Sequence, residues 1–332
     1  MKVAVVILNY NGVRHLETYL PSVIKYSGDA DIWVADNAST DNSMSFLATL
    51  PNVNTLSLED NHGYAGGYNR ALAQIKADVY VLLNSDVEVS ENWLLKLTQP
   101  FDFDHKVVAC QPKVLSYLEK RQFEYAGAAG GFLDKFGYPF CRGRLFVTCE
   151  LDQGQYNSGS EIFWASGACL AVRSKEFLDF GGFDERFFAH MEEIDLCWRF
   201  KSAGYSIKYI PESVVYHLGG GTLKKSNPRK TFLNYRNGLA LLFKNLPFSR
   251  LFTVLPVRLI LDGVSGIKLL IDGKPLDFVA VLKAHFSFYG MIPYLLKQSK
   301  GFERSANGLS NYSVVWQYFV KNVKSFKDLP DA

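Results

Sequence analysis

The sequence has no CxxC pair, and its five cysteines, at positions 110, 141, 149, 169 and 197, are scattered. That distribution excludes a zinc ribbon or a disulfide framework and fits reduced thiols in a cytosolic protein. No stretch reaches ~18 uninterrupted apolar residues, so no transmembrane helix is expected. The apolar start, Met1 to Leu8, is too short for a secretory core and leads straight into Asn9, so it reads as a first strand. No Gly-x-Gly-x-x-Gly follows that strand, which counts against a dinucleotide-dependent dehydrogenase. A net charge of +3 is too small to call for nucleic acid as a partner. There is no internal repeat and no low-complexity tract. What is present is 332 residues, 48% hydrophobic and 14% aromatic, a globular composition with room for one or two domains.

The clearest strand is Val79-Tyr80-Val81-Leu82-Leu83, which breaks abruptly into Asn84-Ser85-Asp86. Five apolar residues in a row suit a central strand of a parallel sheet, buried on both faces. Two more strands, at residues 3–8 and 31–35, end likewise in polar clusters, Asn9/Asn11 and Asp36/Asn37. A helical pattern with Leu16, Leu20, Val23 and Ile24 on one face separates them, and a further strand is expected at about 53–58. This alternation is the rhythm of a nucleotide-binding sheet with right-handed crossovers. In such sheets the ligand crevice lies outside the carboxyl ends of the strands, so three polar ends would line one crevice. Asp86 is a hard oxygen ligand suited to Mg²⁺ or Mn²⁺ held together with a diphosphate, while an Asx turn before the next helix explains the same residues equally well. Ser39 or Thr40 stands where a cap of the following helix is expected. Gly63-Tyr64-Ala65-Gly66-Gly67-Tyr68-Asn69 reads as a flexible loop feeding a helix, whose N-terminus favours phosphate.

Between 100 and 160, Pro112, the paired glycines Gly130 and Gly131 and many aromatics predict short antiparallel strands and loops. A strand with a small-residue bend is expected over 164–173, and a helix over 191–203 ending at Gly204. Glu192, Glu193 and Asp195 crowd that helix's first turn, where either the helix dipole or a need for a general base accounts for them. Asp195 and Arg199 are spaced to pair along it. Strands at 206–210 and 213–217 lead to His217 and a glycine-rich, mobile loop. Beyond Asn227 helices are expected at about 229–246, 250–271 and 276–298, broken by Pro228, Pro247, Pro256, Pro275 and Pro293. Their recurring Lys and Arg beside Leu, Ile and Phe fit helices on an anionic membrane surface, or an ordinary packed subdomain.

Taken together these segments resemble the family 2 glycosyltransferases, inverting enzymes of the GT-A fold, and within them the rhamnosyltransferase-type members that build cell-surface polysaccharide. The match spans about residues 3–222. It is carried by Val5-Val6-Ile7-Leu8-Asn9-Tyr10-Asn11-Gly12, Val34-Ala35-Asp36-Asn37-Ala38-Ser39-Thr40-Asp41, the Asn61–Asn69 stretch and Leu82-Leu83-Asn84-Ser85-Asp86. Gly167-Ala168-Cys169-Leu170, Gly182-Phe183-Asp184-Glu185 and Glu192-Glu193-Ile194-Asp195-Leu196-Cys197-Trp198-Arg199 complete it in the family's order.

The resemblance implies an α/β fold of the GT-A type: a Rossmann-like mixed, mostly parallel sheet flanked by helices over 1–225, with a C-terminal helical extension over 226–332. It implies a nucleotide-sugar donor, dTDP-rhamnose or a UDP-sugar, and a lipid-linked or cell-surface glycan acceptor at the inner face of the membrane. Asp36 would bond the nucleotide base, with Asn9, Asn11 and Asn37 nearby, and Gly63, Gly66 and Asn69 would wrap the nucleoside and phosphates. Asn84-Ser85-Asp86 stands where the family has its metal-binding Asp-x-Asp, leaving Asp86 the stronger ligand of Mg²⁺ or Mn²⁺, with His217 at the metal or diphosphate. Glu193 matches the catalytic base, and Glu192 stays a candidate. Two rival functions remain at this point: a non-catalytic nucleotide-sugar-binding protein, and a nucleotidyltransferase, which would show a basic Gly-rich loop after the first strand.

Overall fold

The computed structural model describes residues 1–219 and 227–330. Gly220, Gly221 and Thr222 of the expected loop, and the boundary at 225/226, lie outside the described residues. The apolar runs become strands β1 (Val3–Asn9), β2 (Asp31–Asp36), β3 (Asn54–Ser57), β4 (Val79–Asn84), β5 (Val87–Val89) and β6 (Val107–Ser116). Four short strands follow, β7 (Gly131–Leu133), β8 (Pro139–Cys141), β9 (Arg144–Leu145) and β10 (Thr148–Cys149), then β11 (Ser160–Ile162), β12 (Cys169–Arg173) and β13 (Ser206–His217). The helices are α1 (Val13–Tyr26), α2 (Ser43–Leu47), α3 (Gly63–Leu72), α4 (Trp93–Thr98), α5 (Pro100–Phe103), α6 (Ser174–Asp179) and α7 (Glu192–Ser202). The C-terminal part adds α8 (Pro228–Asn245), α9 (Phe248–Ile271), α10 (Pro275–Gln298) and α11 (Val314–Phe319).

The large sheet runs β11-β13-β6-β12-β4-β1-β2-β3, with β5 on β13, and the four short strands form a separate small sheet. β4, β1, β2 and β3 are parallel neighbours, whereas β12 runs antiparallel between β4 and β6. Alternate residues of β4 feed opposite faces. Tyr80 and Leu82 pack with Tyr68, Leu72, Phe183 and Trp198, while Val79, Val81 and Leu83 pack with Leu16, Leu20, Trp93 and Leu97. A strand covered on both faces has no solvent side, which is why its sequence shows no alternation.

Two expectations change. The 100–160 region does hold the short antiparallel strands, but it also supplies β6, ten residues deep in the large sheet. Pro112 is tolerated there because the β6–β13 register slips beside its partner Ile210, between Ile210 and Val214, and a bulge needs no ladder donor at that point. The same irregularity makes the two expected strands at 206–217 one. Likewise Pro256 and Pro293 do not break helices. They lie inside α9 and α10, while Pro228 and Pro275 open α8 and α10.

The C-terminal helices are bound into the sheet domain by a buried ion cluster. Lys244 Nζ donates to Asp184 at 2.8 Å and to Asp195 at 2.9 Å, and Arg199 pairs with Asp195 at 3.0 Å, as its spacing on α7 predicts. Asn245 Nδ2 donates to Asp195 at 2.8 Å, and the Tyr294 hydroxyl to Asp184 at 2.8 Å. Burial alone would raise the Asp195 carboxyl; Lys244 and Arg199 outweigh it and hold the group below its usual range. Breaking such a pair leaves a buried charge uncompensated. Lys244→Met should therefore lower the unfolding free energy by about 3–5 kcal/mol in urea denaturation. A loss within about 0.5 kcal/mol, the usual range for surface sites, would show that α8 is not required by the sheet domain.

Candidate active site

Parallel pairing of β1 and β2 sets Asn9 beside Asp36, and β1 and β4 pair Leu8 with Asn84, so the three polar ends do share one rim. Asn9 Nδ2 donates to Asp36 Oδ1 at 2.9 Å, and the Ser39 N–H donates to Asp36 Oδ2 at 2.9 Å. The Ser39 hydroxyl oxygen accepts from Asn9 Nδ2 at 3.2 Å and from the Asn11 N–H at 2.8 Å. Asn11, at φ 50°, in turn accepts from the Thr40 N–H at 2.7 Å. Ser39 and Thr40 thus serve the rim and do not cap α2, which starts only at Ser43. Gly12 lets this floor close: a Cβ there would stand 2.5 Å from Asn9 Oδ1 and 3.7 Å from Ser85 Oγ. Asn9, Asn11, Asp36 and Ser85 are therefore one constellation, and Asn9 Oδ1 is enclosed in it without a partner.

The glycine-rich stretch departs from expectation. It is no loop but the first turns of α3. The Phe188 carbonyl accepts from the N–H groups of Tyr64 and Ala65 at 2.8 and 3.1 Å, so the helix start is capped by the chain itself and does not offer those donors to phosphate. Its glycines answer to packing: a Cβ on Gly63, at φ +69°, would meet the Phe188 ring at 2.6 Å, and one on Gly67 would meet Leu8 at 2.8 Å. Gly66 has His62 and Arg70 at 3.0 Å. Asn37 holds the turn before α3, donating to Asn61 Oδ1 and the Gly63 carbonyl and accepting from the His62 N–H, each at 3.1 Å. Asn69 clamps Phe183, donating to its carbonyl at 2.8 Å and accepting from its N–H at 2.9 Å. Asn37, Gly63, Gly66 and Asn69 thus lock the wall of the crevice.

At the other end of the rim β13 delivers His217, paired with Val87 and Ser116. Its Nε2 lies 3.2 Å from Asp86 Oδ1 and 3.4 Å from the Asn84 amide nitrogen, while its Nδ1 lies 3.0 Å from Glu124 Oε2. Asp86, Asn84 and His217, distant in sequence, do meet. Burial would lower the His217 pKa; the Asp86 and Glu124 carboxylates outweigh it and raise it to about 10. Glu124 went unread in the sequence, because it belongs to no motif and arrives on the irregular segment after β6. Among the described residues no group of three or more His, Cys, Asp or Glu is arranged to hold a metal by itself. The donor set would instead be the Asp86 carboxylate and, once an ion displaces the Nε2 proton between them, the His217 imidazole, with Glu124 on the far nitrogen. Mg²⁺ and Mn²⁺ commonly take few protein ligands and complete their shell with water and substrate phosphate, so these residues fit such an ion.

The third component precedes α7. Phe188, His190 and Met191 have φ of 65°, 71° and 74°. Left-handed backbone at such residues is costly and persists only where the surroundings impose it. Here α8 imposes it: Asn237 Nδ2 donates to the carbonyls of Phe187, Ala189 and His190 at 2.9, 3.0 and 2.7 Å. The result presents Glu192 and Glu193 together. Each encloses an Oε2 without a hydrogen-bond partner, whereas a single outward carboxylate is what neighbouring helix positions predict. Burial, then the mutual charge of the pair, pushes Glu192 well up. Burial raises Glu193 to about 7 against the pull of N–H groups from Ile194, Gly167 and Met191. The Gly167–Ala168 turn joins this pair to the rim, since the Asn84 N–H donates to the Ala168 carbonyl at 3.1 Å and the Tyr64 hydroxyl to the Gly167 carbonyl at 2.7 Å. Asp195, the third acid of the turn, is consumed by Arg199 and Lys244.

The chain is similar to known proteins in sequence and in fold. The sequence pattern of glycosyl transferase family 2 matches residues 4–152. The N-acetylglucosaminyl-diphospho-decaprenol L-rhamnosyltransferase of Mycobacterium tuberculosis is 29% identical over 231 residues, 64% of this chain and 75% of that protein. Among solved structures, GalNAc-T7 with UDP, GalNAc and Mn²⁺ has a TM-score of 0.58 at 17% identity, covering 75% of this chain and 48% of that one. S. aureus TarS 1–349 with UDP-GlcNAc has a TM-score of 0.55 at 16% identity, covering 91% and 90%. At these identities the two structures establish the fold, which is GT-A.

A carboxyl raised to about 7 has a signature in stability. Relative to an unfolded value of about 4.3, its burial is harmless at low pH and costs stability as pH rises through 7. Glu193→Gln should therefore raise the melting temperature by a few degrees at pH 8 and leave it nearly unchanged at about pH 4.5. An equal shift at both pH values would rule out ionisation as the cause.

Proposed function

We propose that the chain is a family 2 glycosyltransferase and that it transfers a hexose with inversion from a nucleotide-sugar, dTDP-rhamnose or a UDP-sugar, to a hydroxyl of a lipid-linked or cell-surface glycan at the inner membrane face. The observation that carries this reading is that the Gly167–Ala168 turn is bonded both to Asn84, beside the Asp86–His217 pair, and to Glu193, which with Glu192 encloses an unpartnered carboxyl oxygen. The rhamnosyltransferase relative, by its name, acts on a lipid-diphosphate-linked sugar, which supports an acceptor of that class.

Each group then has a task. Asp36, held by Asn9 and Ser39, binds the base of the nucleotide, with Asn11 beside it. Asp86 and His217, with the Asn84 amide beside them and Glu124 fixing the imidazole, would hold Mg²⁺ or Mn²⁺. Such an ion supplies positive charge for the diphosphate as it leaves. The acceptor oxygen forms its bond to the anomeric carbon as the bond from that carbon to the diphosphate oxygen breaks, and the hydroxyl proton passes to Glu193. A base works best with a pKa near the working pH, and burial brings Glu193 there. Burial pushes the Glu192 carboxyl well up too, and a neutral Glu192 would spare the site a second adjacent anion. A mere nucleotide-sugar binder would carry the cost of two enclosed carboxyls without any use for them.

Glu193→Gln keeps size but accepts no proton, so it should cut transfer by roughly 10²–10⁴-fold while calorimetric donor affinity stays unchanged. Glu192→Gln should be mild. The reverse result would move the base to Glu192, and full activity in both would overturn the mechanism. The transfer rate of the wild type should fall as pH drops below about 7, where Glu193 takes up its proton. Asp86→Ala should abolish the Mn²⁺-dependent part of UDP or dTDP binding, whereas Asn84→Asp should tighten Mn²⁺ binding by adding a charge. Unchanged titrations in both would remove these residues from the metal site.

A further inference from the structure

We propose that the joint outer face of α9 and α10 is a bilayer-docking surface, which seats the protein flat on an anionic membrane. This deepens the reading of the acceptor as lipid-linked and rests on it for its purpose, though its test needs no acceptor. The face is apolar at helical spacing. Ile260, Val264, Ile267 and Ile271 fall four, three and four residues apart on α9, while Leu276 and Phe286 continue the surface on α10. They are strongly exposed, Ile271 at 80%, Phe286 at 73% and Ile260 at 66%. Isolated exposed hydrophobics are ordinary, but exposed apolar side chains repeated along two long helices packed side by side mark an interaction surface.

Charge chooses the occupant. Among the described residues from 248 to 300, six exposed side chains are cationic, Arg250, Lys268, Lys274, Lys283, Lys297 and Lys300, against one exposed anion, Asp272. A second copy docked on this face would bring like charges together, whereas an anionic lipid surface attracts every one of them. Apolar side chains flanked by Lys and Arg are the composition of helices that lie in the headgroup plane.

The structure also excludes the alternative of a crossing helix. By length and composition Pro275–Gly301 could span a bilayer, because its apolar window tolerates the few charges that interrupt any continuous run. Yet Ala284, Phe288 and Leu295 of α10 are buried among the apolar core, and the Tyr294 hydroxyl bonds the buried Asp184. A helix with one side packed on the catalytic domain cannot be ringed by lipid. It can lie on a membrane with its other side immersed.

The full-length protein should sediment with vesicles of phosphatidylcholine containing about one-third phosphatidylglycerol at low salt. It should do so several-fold less with pure phosphatidylcholine, or in about 0.5 M salt, where the charges are screened. The double variant I260D/F286D, altered only at exposed positions, should lose at least ~10-fold in partitioning. Its urea midpoint and UDP or dTDP affinity should match the wild type, showing that the fold is intact. Absence of wild-type binding to the anionic vesicles at low salt would overturn the proposal, as would a double variant that binds equally well. A wild-type dimer that the double variant converts to monomer, with no vesicle binding by either, would assign the face to self-association and overturn it too. Nucleotide affinity, measured without lipid, tests the glycosyl-transfer reading separately.

Discussion

Lys244 is the ion on which the arrangement turns. It reaches from α8 into the space between Asp184 and Asp195, and all three side chains are buried. Those aspartates flank the strained segment and the two glutamates, so one buried cation fixes both ends of the loop that presents the candidate base. Buried ion pairs contribute little net stability against an apolar alternative, but they demand one geometry. Here that geometry ties the C-terminal helices to the candidate active site.

The same economy explains the strain. Phe188, His190 and Met191 hold left-handed backbone, and Glu192 and Glu193 each enclose one carboxyl oxygen without a partner. Both features cost free energy. Asn237 offsets part of it with three hydrogen bonds to the loop carbonyls, and Arg236 adds one to the Arg186 carbonyl at 2.8 Å. A buried carboxylate is a stronger base than one in water, so the destabilisation and the chemistry have one cause. The helix that stiffens this loop, α8, packs against α9 and α10, which carry the proposed membrane face.

Much of this was legible in the sequence, because it rests on local patterns. Five apolar residues ending in Asn84-Ser85-Asp86 announce a doubly covered strand, and βα alternation orders β1 to β4 without further information. Once those strands are parallel neighbours, Asn9, Asp36 and Asp86 must share a rim, since pairing fixes their register. The i,i+4 pairing of Asp195 with Arg199 and the three long C-terminal helices follow from helical periodicity in the same way.

Other features were decided only by contacts between distant segments. Gly63–Asn69 has a loop composition, yet folds as helix because its glycines allow close approach to Leu8 and Phe188, neither of which is near it in sequence. The phosphate-binding role expected of that helix start gives way to the Phe188 carbonyl for the same reason. Glu124 carries no local signal at all and acquires its place on His217 from the path of the chain after β6. Pro112 and Pro256 read as interruptions, but a register slip and a packed helix absorb them. Local propensity and periodicity decide which elements form and which residues stand at their ends. Which polar groups find partners, and which are left enclosed and reactive, depends on long-range packing, and that is where Glu192 and Glu193 gain their chemistry.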